Sequence, residues 1–180
     1  MKGRLLVACV GNIFLGDDGF GVEVAWRLAA HPMPDGVRVV DYGTGGVHLA
    51  YDLADGYETT ILVDASPRGG EPGTVTVVEV DPAEHPNPAA AMGALAGSML
   101  FDGHGMQPDV VFGILDMLGE QAGRIIVVGC EPASVEYGME LSEPVAAAVD
   151  EAVRIVLDMV SAVTTADTVT TADTAKTVKG

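Results

Sequence analysis

With 180 residues, 48% of them hydrophobic but only 5% aromatic, the chain suits one domain built on an aliphatic core and leaves no room for a second. Its 26 acidic against 9 basic residues give a formal charge of −17 that repels phosphate backbones and anionic lipid heads, so neither nucleic acid nor a membrane surface is expected as a partner. The same charge suits a cation, a basic peptide segment or a positively charged protein, or serves solubility alone.

In chain order, runs rich in Val, Ile and Leu predict five strands, at Arg4 to Val10, Val37 to Asp41, Thr59 to Asp64, Gly73 to Val80 and Arg124 to Gly129. Helical spacing at Phe20 to Ala30 and at Val47 to Ala54 separates the first three, which makes them parallel strands joined by right-handed crossovers. The connection from Asp64 to Gly73, with Pro67, Gly69, Gly70 and Pro72, is shorter than a parallel crossover requires. The fourth strand is therefore expected to be antiparallel and at an edge. Asp81 to Pro88 reads as a surface loop, Ala89 to Met99 as a small-residue segment, and Met106 to Leu118 as an amphipathic helix. Glu143 to Val163 reads as a long closing helix, with helices on both sheet faces.

Residues 1 to 163 are thus expected to form a single α/β domain. Residues 164 to 180, which repeat Thr-Thr-Ala-Asp-Thr and carry few large apolar groups, are expected to be a disordered tail. Cys9 and Cys130 end aliphatic runs and read as small buried hydrophobes. No charged leader precedes an apolar signal segment, and no stretch of about 18 apolar residues occurs, so a cytoplasmic location is expected.

Open α/β sheets bind ligands outside the carboxyl ends of their strands. Four strands deliver acids there: Asp17 and Asp18 in the glycine-rich turn Gly11 to Gly21, Asp41, Asp64, and Glu131. Each has an ordinary alternative, since Asp17 or Asp18 can cap the next helix, Asp41 can stabilise the Gly43-Thr44-Gly45-Gly46 turn, and Glu131 can be solvated. Asp64 is harder to explain that way, because it closes the apolar run Ile61-Leu62-Val63 and a carboxylate beside a core strand needs a compensating partner. A cation compensates well. Nucleotide binding through the first turn is the rival reading, but the glycine spacing is wrong and two acids sit where a pyrophosphate needs positive potential. Among the histidines, His104 in its glycine-flanked loop is the best placed to join two carboxylates around a divalent first-row metal, while His48 beside Gly45-Gly46 can approach the rim.

The motifs Gly11-Asn12 to Gly16-Asp17-Asp18-Gly19 with Gly21, Asp41 with Gly43-Thr44-Gly45-Gly46, Leu62-Val63-Asp64-Ala65, His104, and Val128-Gly129-Cys130-Glu131-Pro132 occur in that order. Together they resemble the nickel-iron hydrogenase maturation endopeptidases, over Leu5 to about Val160. The resemblance implies a three-layer α/β/α sandwich with a five-stranded, mostly parallel twisted sheet. It also implies metal ligands at Asp18, Asp64 and His104, the first being Glu in some members. The partner it implies is a hydrogenase large-subunit precursor, whose carboxy-terminal extension is removed after nickel has been installed. Nickel is then supplied by the substrate, and the free enzyme is expected to be metal-poor. No Ser or Cys nucleophile arrangement is visible, so the expected catalytic set is Asp17, Asp18, Asp64 and His104, with Asp17 or Asp41 as proton acceptor in metal-assisted hydrolysis. A nucleotide-binding regulatory domain and a non-catalytic metal-binding maturation factor are the alternatives.

Overall fold

A computed structural model describes residues 5–80 and 123–176, with side chains as far as residue 165. The predicted segment 89–99, the predicted helix 106–118, the loop 81–88 and His104 lie outside these residues. The described elements are β1 (Leu5–Val10), a 3-10 turn (Gly16–Gly19), α1 (Phe20–Leu28), β2 (Val37–Gly43), α2 (Gly46–Ala54), β3 (Thr59–Ala65), β4 (Val75–Val80), β5 (Arg124–Cys130) and α3 (Glu143–Lys176).

The strands form one sheet in the order β2-β1-β3-β5-β4. β1 pairs parallel with β2 and with β3, β3 pairs parallel with β5, and β4 runs antiparallel along the outer edge of β5. The short Pro- and Gly-containing connection after β3 permits no crossover back to the starting end, which is why β4 reverses direction. Side-chain alternation sends Leu5, Val7, Cys9, Ile61, Val63, Val128 and Cys130 to one face, where α1 and α3 cover them with Phe20, Val24, Leu28, Val149 and Val156. Leu6, Ala8, Val10, Leu62, Ile125 and Val127 face the other way, against Leu49 and Leu53 of α2. The result is three layers, helix on sheet on helix, as expected for α/β. Both cysteines are free and buried.

The closing helix departs from the expectation. It continues past Val163 to Lys176, through the stretch read from composition as a disordered tail. No Gly or Pro interrupts it there, and the hydroxyls of Thr164 and Thr165 donate to the Val160 and Ser161 carbonyls, bonds that helical geometry allows Thr to make within its own turn. Low apolar content predicted too little packing; it did not forbid a helix.

Candidate active site

β1 delivers the chain to Gly11, whose φ of 147° is open to glycine, and a Cβ there would lie 2.0 Å from the Asp18 carbonyl oxygen. That close approach folds residues 12–18 back on the strand end. The Asn12 amide donates to the Asp18 carbonyl at 3.2 Å and to Asp18 Oδ2 at 3.0 Å, fixing the acid where the loop returns. Gly21 then lets α1 begin directly on the sheet, since a Cβ would lie 2.1 Å from the Val10 carbonyl oxygen and 2.6 Å from that of Val63. The start of α1 is therefore seated between the carboxyl ends of β1 and β3.

The two acids of the turn do different things. Asp17 is buried, and its carboxylate accepts from the amides of Ala133 (2.7 Å), Ser134 (3.0 Å) and Ser142 (2.7 Å) and from the Ser142 hydroxyl (2.9 Å). Burial alone would raise its pKa, but those hydrogen bonds together outweigh it and hold Asp17 below the ordinary carboxylate value. Asp17 thus serves as a clamp between the first turn and the segment leading into α3. A carboxylate saturated with four donors and kept ionised is a poor base.

Asp18 instead acts on Asp64 through its charge. Desolvation and the negative charge of Asp18 push Asp64 well above the usual carboxylate range, against a lowering by the Ala65 amide. A carboxylate raised by burial and by a second carboxylate nearby is one whose ionised form a cation would favour. The remaining rim acids are otherwise engaged. Asp41, exposed at the end of β2, accepts the Gly43 amide at 2.9 Å, the turn-stabilising role open to it from sequence. Glu131 accepts the amides of Arg68 (2.7 Å) and Gly69 (3.2 Å), which tie down the β3–β4 connection and lower its pKa. His48 is exposed beside Gly45. Among the described residues no three His, Cys, Asp or Glu side chains cluster tightly enough to hold a metal, and His104 lies outside them.

Ser142 and the 133–134 amides were missed from sequence. The one available signal was Ser142-Glu143-Pro144 ahead of the closing helix, which reads as a helix start rather than as a donor to an acid 125 positions earlier.

The model of the hydrogenase maturation protease family matches residues 22–159. A putative hydrogenase maturation protease from Methanocaldococcus jannaschii is 37% identical over 87% of this chain and 95% of its own length. Among solved structures, the hydrogenase maturating endopeptidase HybD from Escherichia coli superposes with a TM-score of 0.70 at 29% identity, over 88% of this chain and 92% of that one. A hydrogenase 2 maturation peptidase from a Thaumarchaeota archaeon does so with a TM-score of 0.63 at 32% identity, over 87% and 97%.

Proposed function

We propose that the chain, which belongs to the hydrogenase maturation protease family, is the endopeptidase that removes the carboxy-terminal extension of a nickel-iron hydrogenase large-subunit precursor after reading the precursor's nickel. The observation that carries this reading is the family match over residues 22–159, supported by Asp18 and Asp64 lying near enough at the carboxyl ends of β1 and β3 for the charge of one to act on the other. A divalent ion presented by the substrate would relieve the repulsion between the Asp18 and Asp64 carboxylates, with His104 as third ligand. A site of so few protein donors holds an ion weakly on its own and reads one that arrives with its coordination partly filled.

Hydrolysis then needs a polarised carbonyl and an activated water, both of which a bound divalent ion supplies. Asp18 and Asp64 orient that centre, which gives the enzyme its aspartate-dependent character. Asp17 holds the turn that presents Asp18, and Asp41, which among the described residues accepts only the Gly43 amide on Oδ1, is the less engaged of the two expected proton acceptors. The strongly acidic surface fits a cytoplasmic maturation factor, and among the described residues no helix is long and apolar enough to cross a membrane.

The test is incubation with nickel-loaded and nickel-free precursor. Cleavage confined to the loaded form is expected, and equal rates on both would overturn nickel recognition. Asp18→Ala, Asp64→Ala and His104→Ala should each lower processing by on the order of 100-fold. Retained activity in all three would remove them from the site, and tight metal binding without processing would favour a non-catalytic metal-binding role.

A further inference from the structure

Beside the Asp18 turn lies a feature the hydrolysis does not use. The backbone of the turn pairs with the segment before α3: the Gly138 amide donates to the Phe14 carbonyl at 3.0 Å, and the Gly16 amide donates to the Gly138 carbonyl at 2.8 Å, with Leu15 and Gly138 bridged in parallel. Leu15 points inward and is 8% exposed. Alternation turns its neighbours outward, and Phe14, Tyr137 and Met139 are 56%, 94% and 70% exposed. Three large apolar side chains therefore stand together on a ribbon that the Asp17 clamp ties to the turn at residues 133, 134 and 142. Glu136 and Glu140, both exposed, flank them.

We propose that this ribbon is the docking surface for the large-subunit precursor, and that it receives a precursor segment combining apolar side chains with Lys or Arg. The proposal rests on the processing activity inferred above. Two observations commit the surface to that occupant. It is continuous with the site, since one Asn12 joins the two: its amide donates to Asp18 Oδ2 and its side-chain oxygen accepts the Phe14 amide, so a substrate that brings its metal to Asp18 reaches the turn that carries Phe14. Its charge is also one-sided, with Glu136 and Glu140 on a chain of formal charge −17, which selects a basic rim around the apolar contact. Aromatic and Met side chains on a pre-ordered backbone are the groups that anchor protein interfaces.

The experiment measures binding and cleavage of nickel-loaded precursor by the full-length chain. Tyr137→Ser with Met139→Ser should weaken Kd and raise KM by about tenfold or more, with kcat within about twofold of wild type. Tyr137→Phe with Met139→Leu should keep wild-type values. Glu136→Lys with Glu140→Lys should weaken binding and flatten its decline as salt rises from about 0.01 to 0.15 M. If the double Ser variant does not fold, Tyr137→Ser alone carries the same expectation, because that side chain is 94% exposed. Unchanged Kd and KM, or a loss confined to kcat, would overturn docking. So would a wild-type dimer that the double Ser variant converts to monomer with unchanged KM, since a second copy would then occupy the surface. Precursor binding without cleavage, weakened by the Ser variants, would support docking while overturning the processing activity, and absence of any binding would overturn both.

Discussion

The carboxylate of Asp17 receives three amides and a hydroxyl from a segment more than 115 positions further along the chain. Asp17→Ala leaves those donors facing a void that water refills only in part, and at roughly 1–3 kcal/mol for each unsatisfied group the loss should reach about 3–5 kcal/mol. Asp17→Asn keeps one acceptor oxygen but turns an NH2 toward N–H donors, so a loss of about 2–3 kcal/mol is expected in urea titrations. A carboxylate with a depressed folded pKa adds stability above its unfolded value, near 3.9, and loses it as pH falls through the folded one. The gap between wild type and Asp17→Asn should therefore be fully open at neutral pH and close below about pH 4. A gap that persists unchanged to lower pH would show that the charge of Asp17 is not what the loop needs. The thiols make a second prediction. Burial, then Asp41, pushes Cys9 up to about 12, and burial, then Asp17 and Glu131, pushes Cys130 up to about 11. An unperturbed thiol is about one quarter thiolate at pH 8, so both residues should resist iodoacetamide in the native protein and react in denaturant. Rapid native alkylation of either would contradict the burial. Sequence could mark the acids of the rim but not apportion their roles, because the partners of Asp17 and Glu131 are backbone amides brought in by folding, and amides carry no sequence signature.

At the scale of elements, what the sequence made legible were the units whose pattern is local. Strand and helix positions follow from apolar periodicity, and the antiparallel β4 follows from the length of one connection. The order β2-β1-β3-β5-β4 and the pairing of Gly138 with the first turn depend on long-range contacts that periodicity does not encode. The closing helix was underestimated because composition reports packing potential and is nearly silent on whether a polar helix is interrupted. The contact of α1 with the sheet is where a single atom decides. In a helix Ala is favoured over Gly by about 1 kcal/mol, which argues for Gly21→Ala as a stabilising change. The added methyl, however, would sit 2.1 and 2.6 Å from the Val10 and Val63 carbonyl oxygens, and neither is the flexible end of a side chain. Overpacking of about 1–3 kcal/mol or more must exceed the propensity gain. Gly21→Ala should thus lower the urea midpoint, and by moving α1 it should slow cleavage more than binding of the precursor. An unchanged midpoint would mean that α1 can shift without loss.

Across the whole molecule, 26 acids face 9 bases. Among the described residues the ion pairs, Arg27 with Glu23 and Asp150, Arg38 with Asp52 and Arg124 with Glu79, answer only a small part of that excess, and such pairs contribute about 0–1 kcal/mol each. Self-repulsion among the remaining carboxylates opposes the compact state, and it acts over distances that salt screens, since the Debye length falls from about 30 Å at 0.01 M to about 8 Å at 0.15 M. The Asp17 and Glu131 hydrogen bonds act at contact, at 3.2 Å or less, and are screened far less. Added NaCl should therefore remove more repulsion than attraction, and Tm should rise by a few degrees over that range, on the scale of about 1 kcal/mol. Scanning calorimetry at neutral pH measures this directly. The same salt should weaken precursor binding through Glu136 and Glu140, so stability and substrate affinity are expected to move in opposite directions. A fall in Tm would mean that the few ion pairs outweigh the net charge, and the acidic surface would then need another account than repulsion held in reserve for a basic partner.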